Sequence, residues 1–183
     1  MLERLRQIST EVLHTNPWYE YKHDTFQKPR GGIGDYYYVD TKGMVIVVAT
    51  IPDGRLVLTR QYRYLMEKTS VEFPGGGIGK TQDPWNAAAR ELREETGWIA
   101  SVGARIGVFE SCNGLMRDLA HVYVVDVENQ EKQELDDTEQ IEILYRSPEE
   151  IDDMIANNDI WDGRSLAVWA LARQHIFREK NEI

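Results

Sequence analysis

The sequence predicts a domain of mixed α and β structure in which helices lie against a largely mixed sheet. Short runs rich in β-branched and aromatic residues, separated by glycine and proline, predict several strands. Residues 84–96 and two segments near the C-terminus instead carry the periodicity of amphipathic helices. At 183 residues, of which 42% are hydrophobic, the chain is long enough for one domain with a buried core.

The N-terminal part of the chain predicts two antiparallel hairpins. Residues 19–26 and 36–40 are aromatic-rich, and the glycines and proline between them predict a turn. Residues 44–51 and 55–61 are two further strands, joined at a turn in which Gly54 can adopt a positive φ.

A glycine-rich segment and a well-marked helix follow. Three consecutive glycines, Gly75 to Gly77, predict a loop, because such a run is too rich in glycine for a helix or a strand. Asp83 is a suitable N-cap, Pro84 suits the first helical position, and Gly97 suits a left-handed C-terminal cap. The segment between these residues therefore predicts a helix over 84–96.

The rest of the chain alternates between strands and helices. A helix capped by Ser147 follows from the two glutamates in its first turn. The other elements are strands at residues 101–110, 119–127 and 141–145, a charged loop at 128–139 and a final helix from about 165 to 178.

Charge and cysteine content limit the partners and the setting. There are 31 acidic and 21 basic residues, a formal net charge of −10, so the chain repels nucleic acid and anionic membranes. Its one cysteine, Cys112, excludes an internal disulfide and fits a reducing cytoplasm. The first residues mix charges where a secretory signal would be apolar, and the longest apolar run, 44–51, is too short to cross a membrane. We expect a cytoplasmic protein that acts on a small molecule.

The predicted helix over 84–96 carries three carboxylates on one face. Glu91, Glu94 and Glu95 are three and four residues apart, so they share a face that we expect to be exposed. A hard divalent cation such as Mg²⁺ or Mn²⁺ would hold these carboxylates together against their repulsion. The alternative is a solvated helix face on which Arg90 and Glu94 form an ordinary ion pair. The glutamates alone would favour that alternative.

The glycines before this helix favour the metal site over the solvated face, because the glycines and the helix together resemble the Nudix box. The box reads Gly, five residues, Glu, seven residues, then Arg-Glu-apolar-any-Glu-Glu-any-Gly-apolar. Gly76 opens it in this chain, and residues 90–98 fill every fixed position at its end. The resemblance implies a Nudix fold, a mixed β-sheet sandwiched between α-helices. It also implies that Glu91, Glu94 and Glu95, with the carbonyl of Gly75, hold Mg²⁺, for which Mn²⁺ can substitute.

One position of the box differs from the family pattern. The first glutamate of the box falls on Gln82. In the family this residue helps to hold the box together, often through its arginine, so we expect Gln82 to face Arg90 and to accept a hydrogen bond from it. The lost charge keeps open a second interpretation, a weak or inactive Nudix domain that binds a nucleotide sugar as a sensor or regulator.

A second resemblance concerns the substrate. The segment Arg60-Gln61-Tyr62-Arg63, with Glu72-Phe73-Pro74-Gly75-Gly76 after it, is similar to the corresponding segments of ADP-ribose and nucleotide-sugar pyrophosphatases. It implies substrate contacts from Arg60, Gln61 and Arg63, of which Arg63 has the planar donors to hold a diphosphate. Ser111-Cys112-Asn113-Gly114 stands where that subfamily carries Ser-Pro-Gly, so ADP-ribose, GDP-mannose and similar substrates stay open.

A hydrolase also needs a group that activates water. The acidic segment Asp136-Asp137-Thr138-Glu139 resembles the loop that carries the catalytic glutamate of ADP-ribose pyrophosphatases. Glu139 is the first candidate for the base and Asp137 the second, alongside Glu95 in the catalytic set. Most acids of residues 128–142 must simply be hydrated. Covalent catalysis by Cys112 is disfavoured, because the sequence places no histidine as its base.

The resemblance therefore implies hydrolysis of a nucleoside diphosphate sugar to a nucleoside monophosphate and a sugar phosphate by a homodimer. We divide the chain into an N-terminal β-hairpin region for dimerisation and substrate contacts, 1–42, and a Nudix hydrolase domain, 43–183. The first region has more aromatic surface than a solvated hairpin needs, so we expect it to cover a second subunit and Tyr19 to contact the substrate base. These aromatic residues are Trp18, Tyr19, Tyr21, Phe26, Tyr36, Tyr37 and Tyr38.

Overall fold

Two β-sheets and three helices make up the part of the chain that the computed structural model describes, residues 3–79 and 82–179. Residues 1–2 of the predicted region 1–42, and residues 80–81 and 180–183 of the predicted region 43–183, therefore lie outside the described residues. The strands are β1 (Arg6–Thr15), β2 (Glu20–Gln27), β3 (Ile33–Asp40), β4 (Met44–Thr50), β5 (Leu56–Arg63), β6 (Lys68–Glu72), β7 (Gly75–Gly77), β8 (Trp98–Glu110), β9 (Met116–Arg117), β10 (Leu119–Gln130) and β11 (Ile141–Arg146). The helices are α1 (Pro84–Thr96), α2 (Pro148–Ala156) and α3 (Gly163–Glu179), with a 3-10 turn at Tyr64–Met66.

The larger sheet is mixed and has helices on both faces. Its order is β11-β5-β4-β10-β8, with β6 beside β5 and β7 beside β4. Strands β4 and β10 are parallel, and the other pairs are antiparallel. On β4, Val45 and Val47 pack towards α1, while Ile46 and Val48 pack towards α2 and α3. The prediction of a mixed sheet between helices is confirmed.

One prediction about the middle of the chain is confirmed and one was wrong. Residues 44–51 and 55–61 form the expected antiparallel hairpin, in which Thr50 pairs with Leu56 and the N–H of Ile51 donates to the carbonyl oxygen of Arg55 at 2.9 Å, while the rest of β4 is flanked by β7 and β10. The segment Gly75–Gly77 is a short strand rather than a loop, and it pairs with the start of β4. Its backbone lies so close to β4 that a Cβ on Gly75 would overlap the carbonyl oxygen of Val45. Glycine therefore permits this strand, where its abundance predicted a loop.

The smaller sheet contains the predicted N-terminal hairpin and two more strands. Its order is β1-β2-β3-β9, in which β2 and β3 form the expected antiparallel pair. The sequence analysis missed β1, whose ten residues are all exposed and show no buried alternation. Strand β9 joins β3 at two positions, where Arg117 donates a 2.7 Å hydrogen bond from Nε to Asp40 and Lys22 donates to the same carboxylate at 2.5 Å. This ion-paired cluster attaches β9 to β2 and β3 within the smaller sheet.

The helix boundaries follow their caps. Asp83 accepts hydrogen bonds from two N–H groups of the first turn of α1, and Gly97 ends that helix with a φ of 73°. Ser147 forms a capping box with Glu150 on α2. Helix α3 starts two residues earlier than predicted, where Asp162 accepts the N–H of Ser165 at 2.8 Å. No helix within residues 3–79 and 82–179 is both long and apolar enough to cross a membrane.

Candidate active site

A cavity of about 510 Å³ lies where the smaller sheet, strand β7 and the first turn of α3 meet. Its lining includes Trp18, Arg63, Gly76, Arg90, Asp118 and Arg164. Among them, Arg63, Gly76 and Arg90 belong to the segments that the sequence analysis singled out. The cavity is large enough to accept part of a nucleotide.

Glu95 lies beside this cavity and connects α1 to the glycine strand. Its Oε2 atom accepts the backbone N–H of Gly75 at 3.0 Å. The residue is only 6% exposed, so the prediction of an exposed carboxylate face was wrong for Glu95. The reason is that α1 packs its apolar side, through Ala88 and Leu92, so closely against β4 that the adjacent part of the acidic face is covered too.

Burial makes the Glu95 carboxyl hard to ionise. It raises the pKa of Glu95 to about 8, even though the Gly75 N–H and Arg63 act in the opposite direction. The carboxylates of Glu91 and Glu139 raise this pKa further. Burial also raises the pKa of Glu91, against the effect of Arg90. This side of the helix therefore has more negative groups than nearby cations.

Arg90 takes up the other two carboxylates of the face. It donates to Glu91 at 2.6 Å and to Glu94 at 2.6 Å, and it also reaches the carbonyl oxygen of Gly77 at 3.3 Å. The expected contact with Gln82 is absent among the described residues. Gln82 instead accepts the N–H of Gly79 at 3.4 Å, because it lies in the loop before the helix cap. The partners of Arg90 are therefore Glu91 and Glu94 of its own helix, and not Gln82 as expected.

Gly76 makes room for one of these carboxylates. A Cβ built on Gly76 would lie 2.5 Å from the carboxylate carbon of Glu91. Any side chain at this position would therefore push the Glu91 carboxylate away. The neighbouring Gly77 has open space around its Cβ position, so of these two positions only 76 is too crowded for a side chain.

The donor chemistry of this region fits a divalent metal ion. Three carboxylates lie on one helix face, and the buried Glu95 has only Gly75 N–H as a hydrogen-bond donor within the described residues. In the described ranges, no three His, Cys, Asp or Glu side chains already converge on one point. Glu91 and Glu94 point to Arg90, so they would have to exchange that partner for a metal ion.

Arg63 reaches the same cavity from the end of β5. It is paired in two places with Glu72: its Nε donates at 2.7 Å, and its Nη2 donates to the second carboxylate oxygen. The Glu72 side chain is 11% exposed, whereas Arg63 is 45% exposed. Glu72 therefore holds the guanidinium while the rest of it faces the cavity.

This site matches a known family. The NUDIX domain family matches residues 41–168, which include the glycine strand, α1 and the acidic loop before β11. The chain belongs to the NUDIX family.

Individual relatives agree with the assignment. The ADP-ribose pyrophosphatase of Bacillus subtilis is 30% identical over 139 residues, 75% of each chain. The methanol dehydrogenase activator of Bacillus methanolicus is 28% identical over 178 residues, 96% of each chain. A crystal structure of ADP compounds hydrolase has the same fold, with a TM-score of 0.86 at 19% identity over 98% of this chain and 97% of that one. The chain is thus a Nudix hydrolase of the ADP-ribose pyrophosphatase subfamily.

The remaining predicted substrate contacts of this Nudix chain are divided between two places. Arg60 and Gln61 do not line the main cavity but an open groove on the outer side of β5, and Arg60 donates to Glu142 at 3.0 Å. Arg60 is three positions from Arg63 and so lies on the opposite face of the strand, whereas Gln61 shares the face of Arg63 and still lines the groove. Tyr19 lies in a smaller adjoining pocket, while its neighbour Trp18 lines both pockets and is 77% exposed.

The two candidate bases lie in the loop between β10 and β11. Glu139 is exposed and accepts the N–H of Asp136 at 3.1 Å, and its charge raises the pKa of both Glu91 and Glu95. It therefore lies near the acidic face of α1. Asp137 is exposed, and no hydrogen bond joins its side chain to another described residue. The arrangement favours Glu139 over Asp137.

Sequence reasoning gave no role to several residues of the site. Glu72 was noted only as part of a family segment, and its bond to Arg63 depends on the pairing of β5 with β6. Asp118 and Arg164 are 46 residues apart and meet at the cavity through an ion pair at 2.9 Å. No local pattern marks such a pair. A polar residue directly before the apolar strand β10 is the only signal that could have drawn attention to Asp118.

Proposed function

We propose that this Nudix hydrolase cleaves the pyrophosphate bond of a nucleoside diphosphate sugar, with ADP-ribose as the first candidate and GDP-mannose as a further one. The products are a nucleoside monophosphate and a sugar phosphate. The names of the relatives support an ADP-linked substrate, since one is an ADP-ribose pyrophosphatase and another an ADP compounds hydrolase. The formal charge of −10 supports a small substrate rather than a nucleic acid.

Glu91, Glu94, Glu95 and the carbonyl of Gly75 are the proposed ligands of Mg²⁺, or of Mn²⁺ in its place. When bound, the ion supplies positive charge beside the diphosphate and acidifies a water molecule. The chain prepares for this in two ways. Gly75 orients the Glu95 carboxylate through its N–H, and Gly76 leaves the space that the Glu91 carboxylate occupies.

Glu139 is the proposed general base. Its loop position leaves the carboxylate exposed to water, and its electrostatic effect on Glu91 and Glu95 supports a position near the acidic face. An ionised carboxylate can take the proton of an attacking water or fix its orientation. Asp137, two residues earlier, is the second candidate for this role.

The cavity offers separate places for the parts of the substrate. Arg63, held by Glu72, provides planar donors for the diphosphate. Trp18 at the cavity rim, with Tyr19 behind it in the adjoining pocket, offers an aromatic surface on which a base can stack. Arg60 and Gln61 lie in the groove shared with Glu139, so we assign them to the approach of the substrate or of water.

The buried Glu95 beside a cavity that also contains Arg63 is the observation that carries this proposal. The test is release of AMP from ADP-ribose, followed by chromatography with Mg²⁺, with Mn²⁺ and with excess chelator, and repeated with ADP-glucose and GDP-mannose. We expect turnover with either ion and none with chelator. Glu95→Gln should lower the rate by at least about a hundredfold. Asp53→Asn, in an exposed turn far from the cavity, is the matched control and should retain it.

A second candidate function is binding without turnover. Gln82 in place of the family glutamate and the similarity to a protein named methanol dehydrogenase activator favour it. Calorimetry with the same nucleotide sugars separates the two functions. Saturable binding of ADP-ribose without AMP release, at any Mg²⁺ concentration, would replace the enzyme with a sensor.

A further inference from the structure

One wall of the cavity is built around a buried ion pair to which the proposed mechanism gives no role. Asp118 is 4% exposed, and its Oδ2 atom accepts a hydrogen bond from Nη2 of Arg164 at 2.9 Å. The other carboxylate oxygen accepts from the hydroxyl of Thr41 at 2.5 Å. All three residues line the cavity. A buried carboxylate is stable here because both of its oxygens are hydrogen-bonded.

Arg164 is fixed by a second acceptor and still faces the cavity. Its Nε donates to the hydroxyl of Ser111 at 3.3 Å, and its side chain is 39% exposed. In the part of the chain that the structure describes, no protein group accepts a hydrogen bond from its Nη1. A guanidinium held on two sides loses little further freedom when it binds a ligand. The outer edge of Arg164 is therefore a preorganised donor.

The position of Arg164 follows from how α3 begins. Asp162 accepts both the N–H and the hydroxyl of Ser165, at 2.8 and 3.0 Å, and the Ser165 oxygen accepts the N–H of Phe73 at 3.4 Å. This chain of bonds attaches the first turn of α3 to the end of β6. It also turns Asp162 towards the cavity beside Arg164.

The composition of this wall suits sugar hydroxyls better than a phosphate. Two carboxylates, Asp118 and Asp162, lie with two cations, Arg164 and Lys42, so the wall has no excess of positive charge. A phosphate site would need such an excess. Hydroxyl groups donate as well as accept, so they can use both the carboxylates and the guanidinium. Thr41 adds a hydroxyl of its own.

We infer that the Asp118–Arg164 wall is the subsite for the distal sugar of the substrate and reads its hydroxyl groups. This inference rests on the proposed function, because it assumes a nucleoside diphosphate sugar in the cavity. Arg164 contacts the sugar, and Asp118 and Ser111 position its guanidinium. A neutral polyhydroxylated sugar is accepted, and a distal group without hydroxyls gains nothing from this wall.

The test compares a substrate with and without the sugar. ADP-ribose is assayed beside the methyl ester of ADP, in which a methyl group replaces the sugar on the β-phosphate. Arg164→Lys keeps the cation next to Asp118 but loses the planar donor, and it should lower kcat/KM for ADP-ribose about tenfold or more while changing that for the methyl ester less than about twofold. Ser111→Ala, which leaves the ion pair in place, should act in the same direction more weakly.

Arg173→Lys is the matched control. Arg173 is on the same helix and pairs with Asp152 at 2.8 Å, and it lines none of the three pockets described here. It should leave both substrates unaffected. Equal losses on both substrates, or no loss on either, would overturn the inference. If the wild type cleaves neither compound, the proposed function fails, and calorimetric binding of the two compounds to wild type and Arg164→Lys still decides the subsite.

Discussion

The carboxylate of Glu95 and the backbone N–H of Gly75, 3.0 Å apart, join α1 to the strand that flanks the cavity. The carboxyl group in this hydrogen bond is buried, and burial raises its pKa to about 8, which favours the neutral form. If this position served only the fold, an uncharged side chain would make the folded protein more stable. The presence of a carboxylate here therefore indicates a functional role that lowers the stability of the fold.

Glu95→Gln should stabilise the metal-free protein. The amide oxygen can still accept the Gly75 N–H, and the buried charge is gone. The pKa of Glu95 is 4.5 in an unfolded chain and about 8 when folded, so the wild type loses stability as pH rises between these values. The gain from the substitution should therefore be small near pH 5 and reach about 1 to 3 kcal/mol at pH 9. Urea unfolding in chelator at the two pH values measures it.

The same substitution, Glu95→Gln, should lower the activity although it raises the stability of the metal-free protein. Turnover of the proposed substrate should fall by orders of magnitude, because a neutral amide is a poor ligand for Mg²⁺. Glu128→Gln, at an exposed position on β10 that lines none of the three pockets, is the control for a generic effect of lost negative charge. A Glu95→Gln protein that unfolds more easily at pH 9 than wild type would contradict the assignment of a strained buried carboxylate.

Gly76→Ala should disturb the site more than Gly77→Ala. The new methyl group at position 76 meets the Glu91 carboxylate at 2.5 Å, whereas the one at 77 meets open space. We expect the first variant to weaken Mg²⁺ binding about tenfold or more and the second to change it little. Calorimetric titration with Mg²⁺ measures both. Equal affinity in the two variants would mean that Glu91 does not depend on the space at Gly76.

Asp40→Asn should loosen the attachment of β9 to the rest of the smaller sheet at neutral pH. Hydrogen bonding from Arg117 and then from Lys22 lowers the pKa of Asp40 below 3.8, so the charged carboxylate stabilises the fold above that value. The Arg117 side chain is 63% exposed, so we expect a loss of only about 1 kcal/mol at pH 7. The difference from wild type should shrink as pH falls through the lowered pKa, because wild-type Asp40 is then protonated too. Thermal unfolding from pH 7 to pH 3 follows it, and an undiminished difference at pH 3 would refute the ionic explanation.

The sequence was most informative where local chemistry decides the structure. Asp83, Pro84 and Gly97 mark α1 by their own conformational preferences, and the structure confirms its bounds. Strand β7 could not be predicted in this way, because Gly75 to Gly77 become a strand only through pairing with β4. Strand β1 likewise depends on β2 and has no buried side chain to set a pattern.

The same distinction applies to the site. The spacing of Glu91, Glu94 and Glu95 follows from the helix, but their burial and their partners do not. Arg90 was expected to face Gln82 and instead bonds to two glutamates of its own helix. These contacts depend on how the helix packs, which spacing alone does not determine.

Gln82→Glu tests what the departure from the family pattern changes. The Gln82 side chain bonds to Gly79 rather than to Arg90, and a carboxylate can accept that N–H equally well. We therefore expect a change in the free energy of unfolding within about 0.5 kcal/mol and a turnover equal to or higher than that of wild type. Gln174→Glu, at an exposed position on α3 that lines none of the three pockets, is the control. A clear loss of both stability and turnover would assign Gln82 a different role.

We propose, finally, that the chain forms a homodimer through its N-terminal sheet. Strand β1 pairs with β2 on one edge only within the described residues, and its other edge is free to meet another strand. This sheet and the segments next to its strands also expose many large apolar side chains, more than a soluble surface needs. They are Leu5, Ile8, Val12, Leu13, Trp18, Tyr19, Tyr21, Ile33, Tyr36 and Tyr37. Pro17 and Trp18 line the cavity of their own chain, so a second subunit bound to this sheet would lie next to the active-site cavity.

Sedimentation velocity at micromolar protein tests this proposal. Val12, on β1, is 48% exposed, and Val102, on β8 of the larger sheet, is 69% exposed. Val12→Glu places a charge in the proposed interface and should give a monomer with lower activity. Val102→Glu introduces the same charge on a surface outside that interface, so it should remain a dimer with wild-type activity. A full-length wild-type chain that is monomeric and active at every concentration would refute the dimer, and then the exposed side chains of the N-terminal sheet would need a different partner.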